Sequence, residues 1–120
     1  MPVYGTAYSG SNVTSLGPGE ALKLFDGTET AAAGLASIPF TPVTGINPNR
    51  TYTVTGAPTS GCSVAIQNSN DGTNWGTFAS LTPDSTGYAS YTDSGTANFY
   101  RVTLATYSSG PMPVVIVKEA

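Results

Sequence analysis

The densest group of potential oxygen ligands in this chain is Ser69-Asn70-Asp71-Gly72-Thr73-Asn74-Trp75, and calcium coordination is the chemistry such a run could serve. An EF-hand sets its ligands on alternate positions around a central glycine and closes with a distal bidentate Glu. No Glu follows at that distance, so a calcium loop is not predicted. The same residues make a strong hairpin turn, because Gly72 accepts positive φ and Asp71 can cap the turn through its carboxylate. Asp71, Gly72 and Trp75 are therefore assigned to a structural hairpin, with Trp75 packed in the core beneath it at the start of the returning strand.

Other catalytic arrangements find little support. Glycosidase chemistry needs two carboxylates facing each other across roughly 5–9 Å, but Asp26, Glu29, Asp71, Asp84 and Asp93 all fall in turn-forming segments, where backbone capping explains them. Serine and threonine are plentiful, yet Gly-x-Ser-x-Gly and Ser-x-x-Lys are both missing. The chain has no histidine, which removes the commonest general base and the commonest zinc ligand. Cys62 is the only cysteine, so it forms no intrachain disulfide or thiolate metal cluster and reads as a small buried strand residue. No P-loop or dinucleotide fingerprint occurs. Neither catalytic residue, metal nor cofactor is predicted, and the chain reads as a non-enzyme.

Charge limits the partners. Only Lys23, Arg50, Arg101 and Lys118 are basic, the formal net charge is -3, and charged residues make up 9% of 120 residues. Four scattered cations cannot follow a phosphate backbone, which argues against nucleic acid as a partner and equally against an anionic membrane. No stretch approaches the ~18 continuous apolar residues of a membrane span, and the N-terminus lacks the basic and apolar regions of a signal peptide. Asn12-Val13-Thr14 and Asn49-Arg50-Thr51 match the glycosylation pattern, a frequent chance match in a threonine-rich chain. A weakly charged surface of hydroxyls and amides has little self-repulsion, which suits a subunit packed against others.

The elements that would position these residues are strands. Threonine favours strands, while 14 glycines and 9 prolines supply turns. Seven tyrosines, four phenylalanines and one tryptophan argue against disorder. Strands are predicted at 20–25, 51–55, 62–67, 75–81, 88–92, 99–106 and 113–118, with 35–40 as an edge strand or covering loop because of Pro39 and Pro42. Alternation directs Tyr52 and Val54, then Cys62, Val64 and Ile66, then Tyr100, Val102 and Leu104, towards one core. Turn signals every eight to twelve residues predict an all-β, antiparallel β-sandwich of about seven or eight strands over 20–120. Residues 1–19 show no sustained period and read as an extended N-terminal arm, either frayed or docked on a neighbouring subunit. Tyr4, Tyr8 and Leu16 are the candidate partner-binding residues of that arm, offering apolar area at little cost in side-chain entropy.

Two resemblances refine the reading. The string Tyr100-Arg101-Val102-Thr103-Leu104-Ala105-Thr106-Tyr107-Ser108-Ser109-Gly110-Pro111 resembles the F strand and F–G turn of fibronectin type III and related immunoglobulin-like domains, which implies a sandwich of that kind. More broadly, a histidine-free sandwich rich in Thr, Gly and Ala, carrying Ser69 to Trp75 and Tyr100-Arg101-Val102, resembles the capsid decoration (cement) proteins of tailed bacteriophages. That resemblance implies a virion structural protein bound to the outer capsid surface, made in the host cytoplasm without a signal peptide. Its partners would be the major capsid protein and copies of itself, in an oligomer or a repeated array. Two alternatives stay open: a carbohydrate-binding module on a tail or host-facing appendage, using Trp75, Tyr88, Tyr91 or Tyr107 as stacking platforms, or a tail or neck adaptor.

Overall fold

A computed structural model describes residues 4–6, 14–17, 19–42, 49–58 and 61–119. All regular structure among them is β: β1 (Tyr4–Thr6), β2 (Thr14–Leu16), β3 (Ala21–Asp26), β4 (Phe40–Pro42), β5 (Arg50–Thr55), β6 (Cys62–Ser69), β7 (Gly76–Leu81), β8 (Ala89–Asp93), β9 (Phe99–Tyr107) and β10 (Val114–Glu119). Two five-stranded sheets result, in the orders β1-β3-β10-β5-β8 and β2-β4-β9-β6-β7.

The pairing is nested. The β6–β7 hairpin lies innermost, and outside it β5 pairs with β8, β4 with β9 and β3 with β10, all antiparallel. Further antiparallel pairing of β10 with β5 and of β9 with β6 rolls this long double ribbon into two facing sheets. Eight strands wound in this way make a two-sheet jelly roll. The sandwich architecture is thus present, but the strand order differs from the ABED and CFG sheets of the immunoglobulin fold. A local string such as Tyr100 to Pro111 describes one strand and its turn. Sheet order depends instead on partners far apart in sequence, as when Glu119 aligns with Arg50.

The remaining two strands come from the segment read as an arm. β1 runs parallel to β3 and β2 parallel to β4, so each sheet gains one edge strand. Leu16, proposed from sequence to reach a neighbour, is 1% exposed and belongs to the core of its own domain. Tyr4 lies on β1, while Tyr8 falls outside the described residues.

The core follows the predicted alternation. Tyr52, Val54, Cys62, Val64, Ile66, Tyr100, Val102 and Leu104 are all buried together. Phe40 stacks on Tyr100 at 5.7 Å between ring centroids and tilts against Tyr52 of the opposite sheet at 6.4 Å, so aromatic rings join the two layers. In β3 strict alternation fails. A bulge opposite Val115 and Ile116 of β10 inserts one residue, and both Leu24 and Phe25 turn inward. The Pro39-bearing segment runs beside β9: Gly34 and Ser37 donate backbone N–H groups to Leu104 and Val102, and the Ser37 hydroxyl accepts the Val102 N–H at 3.0 Å. A side chain thus stands in for a ladder carbonyl ahead of the proline.

Candidate functional site

The polar turn between β6 and β7 is closed on itself. One Asp71 carboxylate oxygen accepts the N–H groups of Thr73 and Asn74, both at 2.8 Å, and the Ser69 hydroxyl at 2.9 Å. The other accepts the Asn74 amide at 2.7 Å, and Gly72 takes φ +78°. These bonds, the Asn74 N–H first among them, hold the Asp71 carboxyl well below the usual range. A carboxylate saturated by its own turn has little capacity left to ligate a cation.

The other turn carboxylates also serve backbone N–H groups: Asp26 that of Thr28, Glu29 those of Asp26 and Gly27, Asp84 those of Thr86 and Tyr88, and Asp93 that of Gly95. Asp26 and Asp84 are held low chiefly by the hydroxyls of Thr28 and Thr86.

Trp75 departs from its expected place. It is half-buried on the outer side of the β6–β7–β9 sheet, with the Arg101 guanidinium 4.3 Å above its ring, and does not belong to the core cluster. Arg101 donates from Nε to Gln67 Oε1 at 2.7 Å, and Gln67 donates to Thr77 at 3.1 Å. The reason is register: Gln67 and Arg101 are aligned across β6 and β9 at positions facing away from the core, which puts the cation on the outer face against the Trp75 ring. The other candidate platforms lie apart. Tyr88 and Tyr91 are 46% and 38% exposed on and beside edge strand β8, while the Tyr107 hydroxyl donates to the Gly110 carbonyl at the end of β9.

The most unusual chemistry is a buried ionic cluster absent from the sequence-based candidates. Arg50 opens β5, flanked in register by Asp93 of β8 and Glu119 of β10. Its guanidinium, 1% exposed, donates to Asp93 at 2.8 Å and to the Gly95 carbonyl, and lies 4.3 Å over the Tyr100 ring. Burial would lower its pKa, but the Asp93 hydrogen bond and the surrounding electrostatics raise it. Glu119 is also 1% exposed, and its nearest contact with Arg50 is 3.6 Å, beyond hydrogen-bond length. Burial therefore pushes its carboxyl upward, with Glu20 adding to the effect and Arg50 opposing it. Burial likewise raises the Tyr52 hydroxyl far above its ordinary value.

Arg50 and Glu119 are sealed from solvent, so the cluster holds strands rather than meeting a solute. The one sequence signal for it was a cation opening an alternating strand; its acidic partners lie 43 and 69 positions downstream. No protein-family model matches this chain, and neither curated proteins nor solved structures show significant similarity to it.

Proposed function

We propose that this protein is a non-enzymatic structural subunit of a tailed-phage virion. It binds the outer capsid surface and strengthens the shell by bridging neighbouring capsid proteins. The observation that carries this reading is the hydroxyl-rich outer face of β5 and β8, bordered on the β10 side by Lys118, which aligns with Thr51. Thr51, Thr53 and Thr55 alternate outward from the buried Tyr52 and Val54, beside Ser90 and Thr92 of β8, and Thr51 and Thr92 are joined by a 3.1 Å hydroxyl contact. Edge strand β8 completes this face with Ser90 and Thr92, while Tyr91, aligned with the buried Tyr52, points the other way and meets Phe78 of the facing sheet at 6.3 Å. Such a surface offers neutral contact area and backbone hydrogen-bonding groups, while Arg50 and Arg101 are already engaged within the domain. Weak contacts of this kind suffice when repeated across a symmetric shell. Jelly rolls occur among viral capsid and lectin domains, which is support by fold analogy only. The immunoglobulin-like resemblance contributes at the level of sandwich architecture.

Cosedimentation with assembled major-capsid-protein shells of tailed phages tests the reading. Binding should vary little between low and moderate salt and should weaken in Thr53→Glu. No binding, or a steep loss with salt, overturns it.

A second reading is favoured by one observation, the position of Trp75 outside the core. A half-buried indole is available for sugar stacking, as a carbohydrate-binding module on a tail appendage would require. Saturable glycan binding that disappears in Trp75→Ala, with the fold intact, would select it.

A further inference from the structure

We propose that the buried Glu119 carboxyl is carried as the neutral acid when the protein is folded at mildly acidic pH, and that its ionisation as the pH rises loosens the end of the sandwich where β10 grips the start of β3. The inference is independent of the proposed function.

Geometry carries it. Both carboxyl oxygens of Glu119 are buried with no hydrogen-bond partner, an arrangement costly for an anion and far less so for a neutral acid. The cation beside it, Arg50, binds Asp93 at 2.8 Å and the Gly95 carbonyl through Nη2, while its Nη1 stands 3.6 Å from Glu119, too far for a hydrogen bond that would fully compensate a buried carboxylate. Near the carboxyl stand Arg50 from β5 and Glu20 just ahead of β3, while Asp93 of β8 and the un-ionised rings of Tyr52 and Tyr100 gather about Arg50. Lys118 on the same strand is exposed on the opposite face. With Glu119 ionised, one guanidinium would serve both Asp93 and Glu119, with Glu20 adding a further negative charge beside Glu119. With Glu119 neutral, the Arg50–Asp93 pair balances itself. The raised tendency of the carboxyl to hold its proton agrees with this arrangement.

The grip is specific. The Glu119 carbonyl accepts the Gly19 N–H at 3.1 Å and its N–H donates to the Glu20 carbonyl at 3.0 Å, while the Glu20 carboxylate accepts the Gly17 N–H at 2.6 Å. Gly17 directly follows β2, so these bonds link the end of β10 to strands of both sheets.

The sign follows from linkage. A group whose folded pKa exceeds its unfolded value stabilises fully below the unfolded value, and that stability is lost as pH rises through the folded one. For Glu119 the loss therefore begins near the ordinary glutamate value of about 4.3 and continues upward, with the folding constant falling by at most about tenfold per pH unit.

Two measurements test it. Carbon-13 NMR of the labelled Glu119 carboxyl in the wild-type protein should show the protonated signal persisting above the ordinary glutamate range; titration at or below that range overturns the proposal. Urea unfolding of wild type and Glu119→Gln, compared from pH 5 to 8, should give a ratio of folding constants that moves towards the variant by up to tenfold per pH unit. Parallel pH profiles overturn it. Amide protection at Gly19 and Glu119 should fall over the same window in wild type alone, while protection of Ala57 stays level; uniform loss at all three sites counts against the proposal. Should the variant fail to fold, the wild-type titration still decides.

Discussion

The two ends of the sandwich are closed by different physics. At the end where β5 and β9 begin and β8 and β10 finish, side chains do the work: Arg50 reaches Asp93, the Gly95 carbonyl and the Tyr100 ring, and Asn98 ties the same connection to the β6–β7 turn through the Asn70 carbonyl at 3.0 Å. At the opposite end carboxylate caps from Asp26, Glu29 and Asp84 are joined by left-handed backbone. Gly27, Gly56, Gly61, Gly87 and Gly110 all take positive φ there. Gly87 comes so near the connection after β5 that an added Cβ would lie 2.5 Å from the Ala57 carbonyl oxygen. The contrast separates two vulnerabilities. Arg50 exposes the first end to the loss of a buried charge, and Gly87 exposes the second to added volume.

The sharpest way to break this contrast is Arg50→Ala. Removing one partner of a buried ion pair costs roughly 3–5 kcal/mol, because the remaining carboxylate is left uncompensated. Urea unfolding should show that loss, and Arg50→Lys should recover little of it, since a point charge cannot repeat the planar contacts to Asp93, Gly95 and Tyr100. A loss below about 1 kcal/mol would mean that the ionic end is not held by its ions.

At the glycine end, Gly87→Ala should cost roughly 2–4 kcal/mol, combining left-handed backbone strain with overpacking against Ala57. Gly56→Ala is the internal control. Its φ is +69° but nothing lies within 4 Å of its added Cβ, so only the strain of about 1–2 kcal/mol applies. Equal losses from the two substitutions would show that close approach contributes nothing, and the distinction between the ends would shrink to one of charge.

The same division explains what the sequence made legible. Turns at the glycine end announce themselves locally, as in Asp26-Gly27, Ser85-Thr86-Gly87 and Gly110-Pro111, so the strands they bound were placed within a residue or two. Alternation in β5, β6 and β9 assigned the inward faces because period-2 patterning is itself local. The ionic end depends on register between strands distant in sequence, and Arg50 looked like one more scattered cation. Strand order was not legible for the same reason. β1 and β2 were missed because three-residue edge strands show no period to read; it is the parallel partner that defines them. Trp75 was misplaced because an aromatic residue beside a tight turn usually packs inward. Here its ring meets a guanidinium presented by register on the outer face.

Trp75→Ala is the smallest change expected and tests that last point. The substitution removes a cation–π contact at a half-exposed site, worth about 0.5–1 kcal/mol, and opens no cavity in the core cluster. Arg101 keeps its 2.7 Å bond to Gln67, so the outer face should stay ordered and the unfolding slope unchanged. The loss should approach zero if Arg101→Ala is made first, because the two residues share one interaction and the double-mutant cycle then isolates it. A loss above about 3 kcal/mol would instead give Trp75 the energetic signature of a core aromatic, and a third, hydrophobic anchor would have to be added to the ionic end beside Arg50 and the Asp71 turn.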